Sequence, residues 1–147
     1  MTDRIGQFIH AAAALNAGNV DQLTAFYATD CEFIDPFQRV QGREKVRAIY
    51  ADMFAQLHQP CFDNVRLLGQ STGPTPEFII GWDFKFSLNA NSEQKVIAGC
   101  SLLRLNDQNE IALHHDYWDA SQVMQALPII GRIIAWLRQK IAHSAST

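Results

Sequence analysis

Apolar residues follow two different periods along this chain, and the change of period predicts helices first and a sheet afterwards. From Ile5 to Leu15 they recur at helical spacing, and Gly18 then ends the run as a glycine commonly ends a helix. Residues 43–57 repeat the same spacing, and Pro60 is expected to end that helix. The sequence therefore predicts two longer amphipathic helices in its first half.

Between these helices the sequence predicts a second, short helix and a brief strand. Asn19 and Gln22 have the spacing of a capping pair at a helix N-terminus. The apolar face of that helix consists of Val20, Leu23, Phe26 and Tyr27. The stretch CEFID, residues 31–35, then reads as a strand.

After Pro60 the pattern becomes extended, and turn-rich clusters divide it. The four predicted strands cover residues 61–70, 77–88, 94–105 and 110–119. Trp82, Phe84, Phe86 and Leu88 alternate on one face of the second of these strands. That face is expected to be part of the hydrophobic core or the wall of a pocket, and the sequence does not distinguish the two. Helices followed by an antiparallel sheet predict an α+β domain in which the helices cover one concave face.

The last segment, opening with Pro128, again has apolar residues at helical spacing. Arg132, Arg138 and Lys140 flank its apolar stripe, which is also compatible with a membrane surface. Packing against its own domain or a partner subunit is the favoured interpretation. The chain is thus predicted to be one domain over residues 1–147, with a core at about 4–120 and a helical extension at 121–147.

Composition narrows the class of protein. The 147 residues are 48% hydrophobic and 18% charged, which is typical of a compact chain with one core. The net charge of −3 supplies no basic field for a phosphate backbone, so nucleic acid is not an expected partner. Three widely spaced cysteines and an N-terminus without a signal-peptide pattern predict a cytoplasmic protein.

Asp35 is the first residue that suggests chemistry. It lies among Phe33, Ile34 and Phe37, and apolar neighbours make a carboxylate harder to ionise. One interpretation is a general base in an apolar pocket. The other is a strand-end residue ahead of Pro36, with its carboxylate bonded to nearby amides.

The stretch ALNAGNVDQLTAFYATDCEFIDPF and the later HHDYWD resemble the SnoaL-like and ketosteroid-isomerase-like proteins of the nuclear-transport-factor-2-like superfamily. The resemblance spans about residues 4–120. It implies a cone-shaped, curved antiparallel sheet wrapped by N-terminal helices around a blind pocket, here with an extra C-terminal helix. It also implies that Asp35, in the DP pair, is the general base.

Two positions depart from the ketosteroid isomerase pattern. Ala11 occupies the place that resembles the family's catalytic tyrosine, and Ser101 the place of its acid donor. Neither side chain can replace its counterpart, so steroid isomerase activity is not expected.

The last strand adds further candidates. Because side chains alternate along a strand, His114, Asp116 and Trp118 share one face, which looks into the pocket in the related proteins. Asp116 is a second candidate acid or base, and His114 is a candidate to orient it or carry a proton. Alternatively, His114 and Asp116 are a buried pair that bond each other without reacting, or they are part of an iron site. No metal is expected.

These observations predict a cofactor-independent isomerase, cyclase or dehydratase that applies carboxylate acid–base chemistry to a small apolar organic ligand. The predicted catalytic residues are Asp35, Asp116 and His114. The predicted substrate-binding residues are Tyr27, Phe54, Trp82, Phe84, Ser101 and Trp118. The alternative is a non-catalytic ligand-binding or dimerisation module of the same fold. In either case the outer sheet face, with Ile79, Leu102 and Tyr117, predicts a homodimer.

Overall fold

The computed structural model describes residues 2–125 and 130–146. The helices are α1 (Thr2–Ala13), α2 (Val20–Thr24), α3 (Arg43–Gln56), α4 (Ser121–Met124) and α5 (Ile130–Ser146). The strands are β1 (Tyr27–Ile34), β2 (Arg39–Gln41), β3 (His58–Gln70), β4 (Glu77–Ser87), β5 (Lys95–Leu105) and β6 (Ile111–Trp118). The predicted α+β class, with helices ahead of a curved antiparallel sheet, is confirmed.

The six strands form one sheet in the order β2-β1-β6-β5-β4-β3. The four predicted strands correspond to β3 to β6 and pair antiparallel in sequence order. β1 adds to β6 in parallel, a pairing that the sequence did not indicate. Three register shifts along β3 interrupt its ladder with β4, and such bulges bend a strand and increase its twist.

One hydrophobic core joins the concave face of the sheet to the helices that cover it. Ile5 and Phe8 of α1, together with Val46 and Tyr50 of α3, are buried against it. The alternation predicted for β4 is present, since Phe78, Ile80, Trp82 and Phe86 are all buried. Alternate burial of this kind requires every second side chain of the strand to face the helices.

Three local predictions are wrong. Tyr27 does not end the second helix but begins β1, because α2 stops at Thr24. Asn19 does not cap α2 with its side chain, which instead bonds the backbone of Ala14 and Asn16 in the preceding loop. Pro60 is a buried residue within β3 and does not end α3, which stops at Gln56.

The C-terminal helix α5 contacts the short α4. Arg138 of α5 lies 3.6 Å from the carboxylate of Asp119. Large apolar side chains of α5 remain exposed, namely Ile133, Trp136, Leu137 and Ile141. Its predicted packing against its own domain or a partner subunit stays a prediction, and Pro128 lies outside the described residues. No helix within residues 2–125 and 130–146 is long and apolar enough to cross a membrane.

Candidate functional site

A cavity of about 400 Å³ lies between α3 and the concave face of the sheet. Its wall is mostly aromatic and aliphatic, with a few polar side chains. The lining residues are Phe33, Asp35, Phe37, Ile49, Tyr50, Asp52, Met53, Gln56, Leu57, Phe62, Trp82, Phe84, Phe86, Ile97, Asp116, Trp118 and Val123. A volume of this size accommodates a small organic molecule.

The exposure of the lining residues distinguishes the mouth of this cavity from its floor. Phe37, Asp52 and Gln56 are exposed and mark the mouth. Tyr50 and Trp82 are buried and lie at the floor. A ligand entering past α3 therefore passes polar and charged groups before it reaches the aromatic interior.

A second, smaller cavity of about 20 Å³ adjoins the floor. Both cavities are lined by Tyr50, Phe62, Trp82 and Asp116. His114 and Ser101 line only the smaller one. Asp116 therefore stands between the large cavity and the hydrogen-bonded side chains of His114 and Ser101.

Asp116 is held through a single oxygen. His114 Nε2 lies 2.6 Å from Oδ1 of Asp116, and the Ser101 hydroxyl donates to the same oxygen at 2.5 Å. Trp82 Nε1 donates to the Ser101 oxygen at 2.9 Å, so the serine proton is directed at the carboxylate. Among the described residues, Oδ2 of Asp116 has no hydrogen-bond partner, and the side chain is 16% exposed. One carboxylate oxygen is thus available to a ligand.

Trp82 can hold this position because β5 has a glycine next to it. A Cβ on Gly99 would lie 2.4 Å from the Trp82 ring. The indole therefore packs directly against the β5 backbone, and this packing brings its nitrogen to Ser101.

His114 connects Asp116 to two buried tyrosines. Its Nδ1 lies 2.6 Å from the Tyr27 hydroxyl, which lies 3.1 Å from the hydroxyl of Tyr50. The rings of Phe8 and Phe33 pack against the imidazole. Every polar atom of His114 is therefore bonded, within an otherwise apolar surrounding.

Both tyrosines are held in the neutral form. Burial raises the pKa of Tyr27 well above its ordinary value, and the nearby Tyr50 and Asp116 raise it further. Burial likewise raises the pKa of Tyr50, and the charge of Asp116 adds to the effect. Each hydroxyl therefore keeps its proton and can both donate and accept a hydrogen bond.

The direction of the tyrosine hydrogen bonds depends on the protonation of His114. With a neutral imidazole that donates from Nε2 to Asp116, Tyr27 donates to Nδ1 and Tyr50 donates to Tyr27. With an imidazolium, Nδ1 donates to Tyr27, which donates to Tyr50. The Tyr50 proton is then free to bond a ligand in the cavity, so His114 is coupled to the cavity through two hydroxyls.

Asp35 lies in a tight turn between β1 and β2. Its backbone pairs with that of Gln38, and Pro36 follows it at the position that favours such turns. The carboxylate accepts bonds from the backbone amides of Phe37 and Gln38 at 2.8 and 3.0 Å, and from the Gln38 side chain at 3.1 Å. The bonds of the turn interpretation are thus present, although Asp35 also lines the cavity. Its role as a base stays a prediction.

The other predicted site residues are divided between the cavity wall and the layer behind it. Trp82, Phe84 and Trp118 line the large cavity. Tyr27 is fully buried behind His114 and is not part of either wall. Phe54 packs against the core and lies outside both walls, because the neighbouring turns of α3 provide the lining instead.

Five residues of α3 that line the large cavity are absent from the predicted site residues, namely Ile49, Tyr50, Asp52, Met53 and Gln56. Tyr50 lies among the apolar residues that recur at helical spacing in residues 43–57, yet its hydroxyl reaches the network at the cavity floor. A polar-tipped aromatic residue within such a stripe is a signal that could have identified it. Asp52 is exposed at the mouth, and no local pattern distinguishes it from an ordinary surface carboxylate.

Among the residues that the structure describes, no three His, Cys, Asp or Glu side chains are grouped closely enough to hold an ion. The chemistry available at the floor is a carboxylate, an imidazole and two neutral hydroxyls, which can transfer protons.

Comparisons with known proteins agree with this architecture. The family model of the SnoaL-like domain matches residues 7–114. No curated protein matches the chain. The solved structures that are similar to it include a protein from Catenulispora acidiphila DSM 44928 with a ketosteroid isomerase-like fold, in complex with trimethylamine. That protein is 21% identical, the match covers 80% of this chain and 90% of that one, and the TM-score is 0.64.

Two further structures have similar scores. A proposed polyketide cyclase from Xanthomonas campestris pv. campestris is 16% identical over 82% of this chain and 91% of that one, with a TM-score of 0.66. A proposed isomerase from Bacillus subtilis is 13% identical over 85% of this chain and 89% of that one, with a TM-score of 0.65. At these identities the likeness establishes a shared fold.

Proposed function

This chain belongs to the SnoaL-like domain family, and we propose that it is a cofactor-independent enzyme of the isomerase, cyclase or dehydratase type. Its substrate is a small, largely apolar organic molecule with an acidic C–H bond next to a carbonyl group. The observation that carries the proposal is Asp116, which is anchored through Oδ1 and leaves Oδ2 without a described partner at the cavity floor.

In the proposed reaction, Asp116 Oδ2 takes the proton from the carbon atom next to the carbonyl. The C–H electron pair moves into the enolate, whose oxygen accepts a hydrogen bond from Tyr50 in the arrangement in which Nδ1 of His114 donates to Tyr27. Asp116 then returns the proton to another carbon atom or to a leaving group. The anchored carboxylate meets the geometric requirement of a general base, because Ser101 and His114 restrict its rotation.

Asp116 is a better candidate for the base than Asp35, for a geometric reason. Both oxygens of Asp35 already accept hydrogen bonds from the turn. Proton abstraction by Asp35 would weaken those bonds, whereas Asp116 has an oxygen with no described partner. We therefore assign Asp35 to shaping the cavity beside its mouth.

The second candidate function is a ligand-binding module without chemistry. It is favoured by the absence of the family's tyrosine and acid donors, since Ala11 and Ser101 stand at those positions. The complex of the Catenulispora protein with trimethylamine is consistent with either function, because it indicates only that this fold can hold a small organic molecule.

Deuterium exchange separates the two functions without knowledge of the substrate. The protein is incubated in deuterium oxide with a panel of cyclic ketones and amino ketones, and deuterium uptake next to the carbonyl is measured by mass spectrometry. We expect catalysed uptake for at least one member. In Asp116→Asn the rate should fall roughly a hundredfold to ten-thousandfold, the contribution typical of a general base.

Asp30→Asn is the matched control, because it removes the same charge from an exposed position outside both cavities. Its exchange rate should equal that of the wild type. An Asp116→Asn variant that folds normally and exchanges at the wild-type rate would refute the catalytic proposal, as would the absence of uptake across the panel.

A further inference from the structure

The charges in the wall of the large cavity all have one sign. Three carboxylates line it, those of Asp35, Asp52 and Asp116, and no lysine or arginine is among the lining residues. Since an electric field is concentrated in a cleft with low-dielectric walls, this arrangement disfavours anions and attracts cations.

These three carboxylates differ from most others on the protein in lacking a strongly basic partner. Within the described residues, seven of the twelve acidic side chains outside the cavity wall lie within salt-bridge distance of an arginine or lysine. They are Asp21, Glu32, Glu44, Asp63, Glu77, Glu110 and Asp119. Within the described part of the chain, neither Asp35 nor Asp52 forms an ion pair, and Asp116 pairs only with His114.

The cavity wall between the carboxylates is rich in aromatic rings. Phe37 and Trp118 pack edge to face near the mouth, with ring centroids 5.4 Å apart. Phe62 and Phe84 lie deeper, with centroids 4.9 Å apart. Aromatic faces attract organic cations through their quadrupoles, and this attraction strengthens where water is excluded.

The placement of the carboxylates favours an organic cation over a metal ion. No three metal-ligating side chains of the described residues converge on one point, so the negative charge is spread along the wall. A ligand that matches such a wall carries its charge on an amine and its apolar body against the rings.

We propose that this cavity selects ligands that bear an ammonium group. The charged nitrogen lies toward Asp52 and Asp35 near the mouth, and the apolar body extends toward Tyr50 and Trp82 at the floor. The proposal rests on the same cavity as the proposed function and narrows its substrate class to hydrophobic amines, including amino ketones. Carboxylic acids and phosphate esters are excluded by the same charges.

Two sets of matched ligands test this selection by isothermal titration calorimetry. One set is adamantylamine, adamantanol and adamantane carboxylate, and the other is phenethylamine, phenethyl alcohol and phenylpropionate. In each set the apolar body is held nearly constant while the charge changes. We expect the amine to bind at least about tenfold more tightly than the alcohol and the carboxylate most weakly, with the amine's advantage reduced at high salt.

Substitutions of the cavity carboxylates test which of them cause the preference for amines over alcohols. Asp52→Asn should weaken amine binding several-fold and leave alcohol binding unchanged, whereas Asp30→Asn should change neither. If the alcohols bind as tightly as the amines, if the carboxylates bind best, or if none of the six compounds binds, the proposal is overturned. An amine preference that survives Asp52→Asn, Asp35→Asn and Asp116→Asn would also overturn it.

These outcomes are independent of the exchange experiment. Amine selectivity without deuterium exchange would leave this proposal standing and refute the catalytic function. Deuterium exchange on neutral ketones without selectivity for amines would support the catalytic function and overturn the proposed preference for ammonium groups.

Discussion

The hydroxyl oxygen of Tyr27 lies 2.6 Å from Nδ1 of His114, although 87 positions separate the two residues in sequence. Tyr27 begins β1 and His114 lies in β6, so the contact depends on the parallel pairing of these strands. The contact satisfies the buried imidazole nitrogen and sets the orientation in which the other ring nitrogen meets Asp116.

Tyr27→Phe should therefore destabilise the protein by about 1 to 3 kcal/mol, because it leaves a buried nitrogen of His114 without a partner. Urea denaturation provides the measurement. Tyr117→Phe is the control, because Tyr117 is 51% exposed. Removal of its hydroxyl should change the free energy of unfolding by no more than about 0.5 kcal/mol. Equal destabilisation by the two substitutions would contradict the prediction.

The raised pKa values of Tyr27 and Tyr50 predict a loss of stability at alkaline pH. Below about pH 10 both the folded and the unfolded states keep these tyrosines neutral. Above it the unfolded state releases their protons while the folded state retains them. The unfolded state then binds fewer protons, so the free energy of unfolding falls as pH rises.

The size of this effect follows from the free energy of unfolding of the wild type and its variants, measured from about pH 8 to about pH 11. This range of about three units includes the ordinary tyrosine pKa. Each tyrosine contributes a slope of up to about 1.4 kcal/mol per pH unit once the unfolded state is ionised. Tyr27→Phe and Tyr50→Phe should each make the wild-type decline shallower above about pH 10. Identical slopes in all three proteins would show that these groups ionise equally in both states.

Gly99→Ala should destabilise the protein by about 1 to 3 kcal/mol, the usual cost of overpacking a core. The added methyl group would lie 2.4 Å from the rigid Trp82 ring and would displace the indole from Ser101. Gly6→Ala is the matched control, because no heavy atom lies within 4 Å of its Cβ position and α1 favours alanine. Thermal unfolding should show a lower melting temperature for the first variant only.

The homodimer remains a prediction, which substitution of the outer sheet face can test. Ile79, Leu102 and His115 are paired across β4, β5 and β6 and form a row on that face, with the exposed Tyr117 nearby. If this row is the interface, Tyr117→Arg should produce monomers at micromolar concentration in light scattering. Deletion of residues 127–147 should leave the dimer intact, whereas dissociation caused by the deletion alone would place the interface on α5.

The periodicity of the sequence was sufficient to predict which side chains share one face of a strand. Strict alternation placed Trp82, Phe84 and Phe86 on one face of β4, and all three line the cavity. The same alternation placed His114 and Asp116 on one face of β6, and both line the smaller cavity. Such predictions succeed because the direction of a side chain within a helix or strand depends mainly on the local backbone.

The partner of each inward-facing group was decided by the tertiary structure. Local pattern did not distinguish Asp35 as a base from Asp35 as a turn residue, and the bonds from Phe37 and Gln38 became known only with the turn itself. The parallel pairing of β1 with β6 placed Tyr27 beside His114, and the packing of α3 brought Tyr50 to the same network. Strand order and helix packing depend on contacts between segments distant in sequence, and the periodicity of one segment carries no information about which other segment it meets.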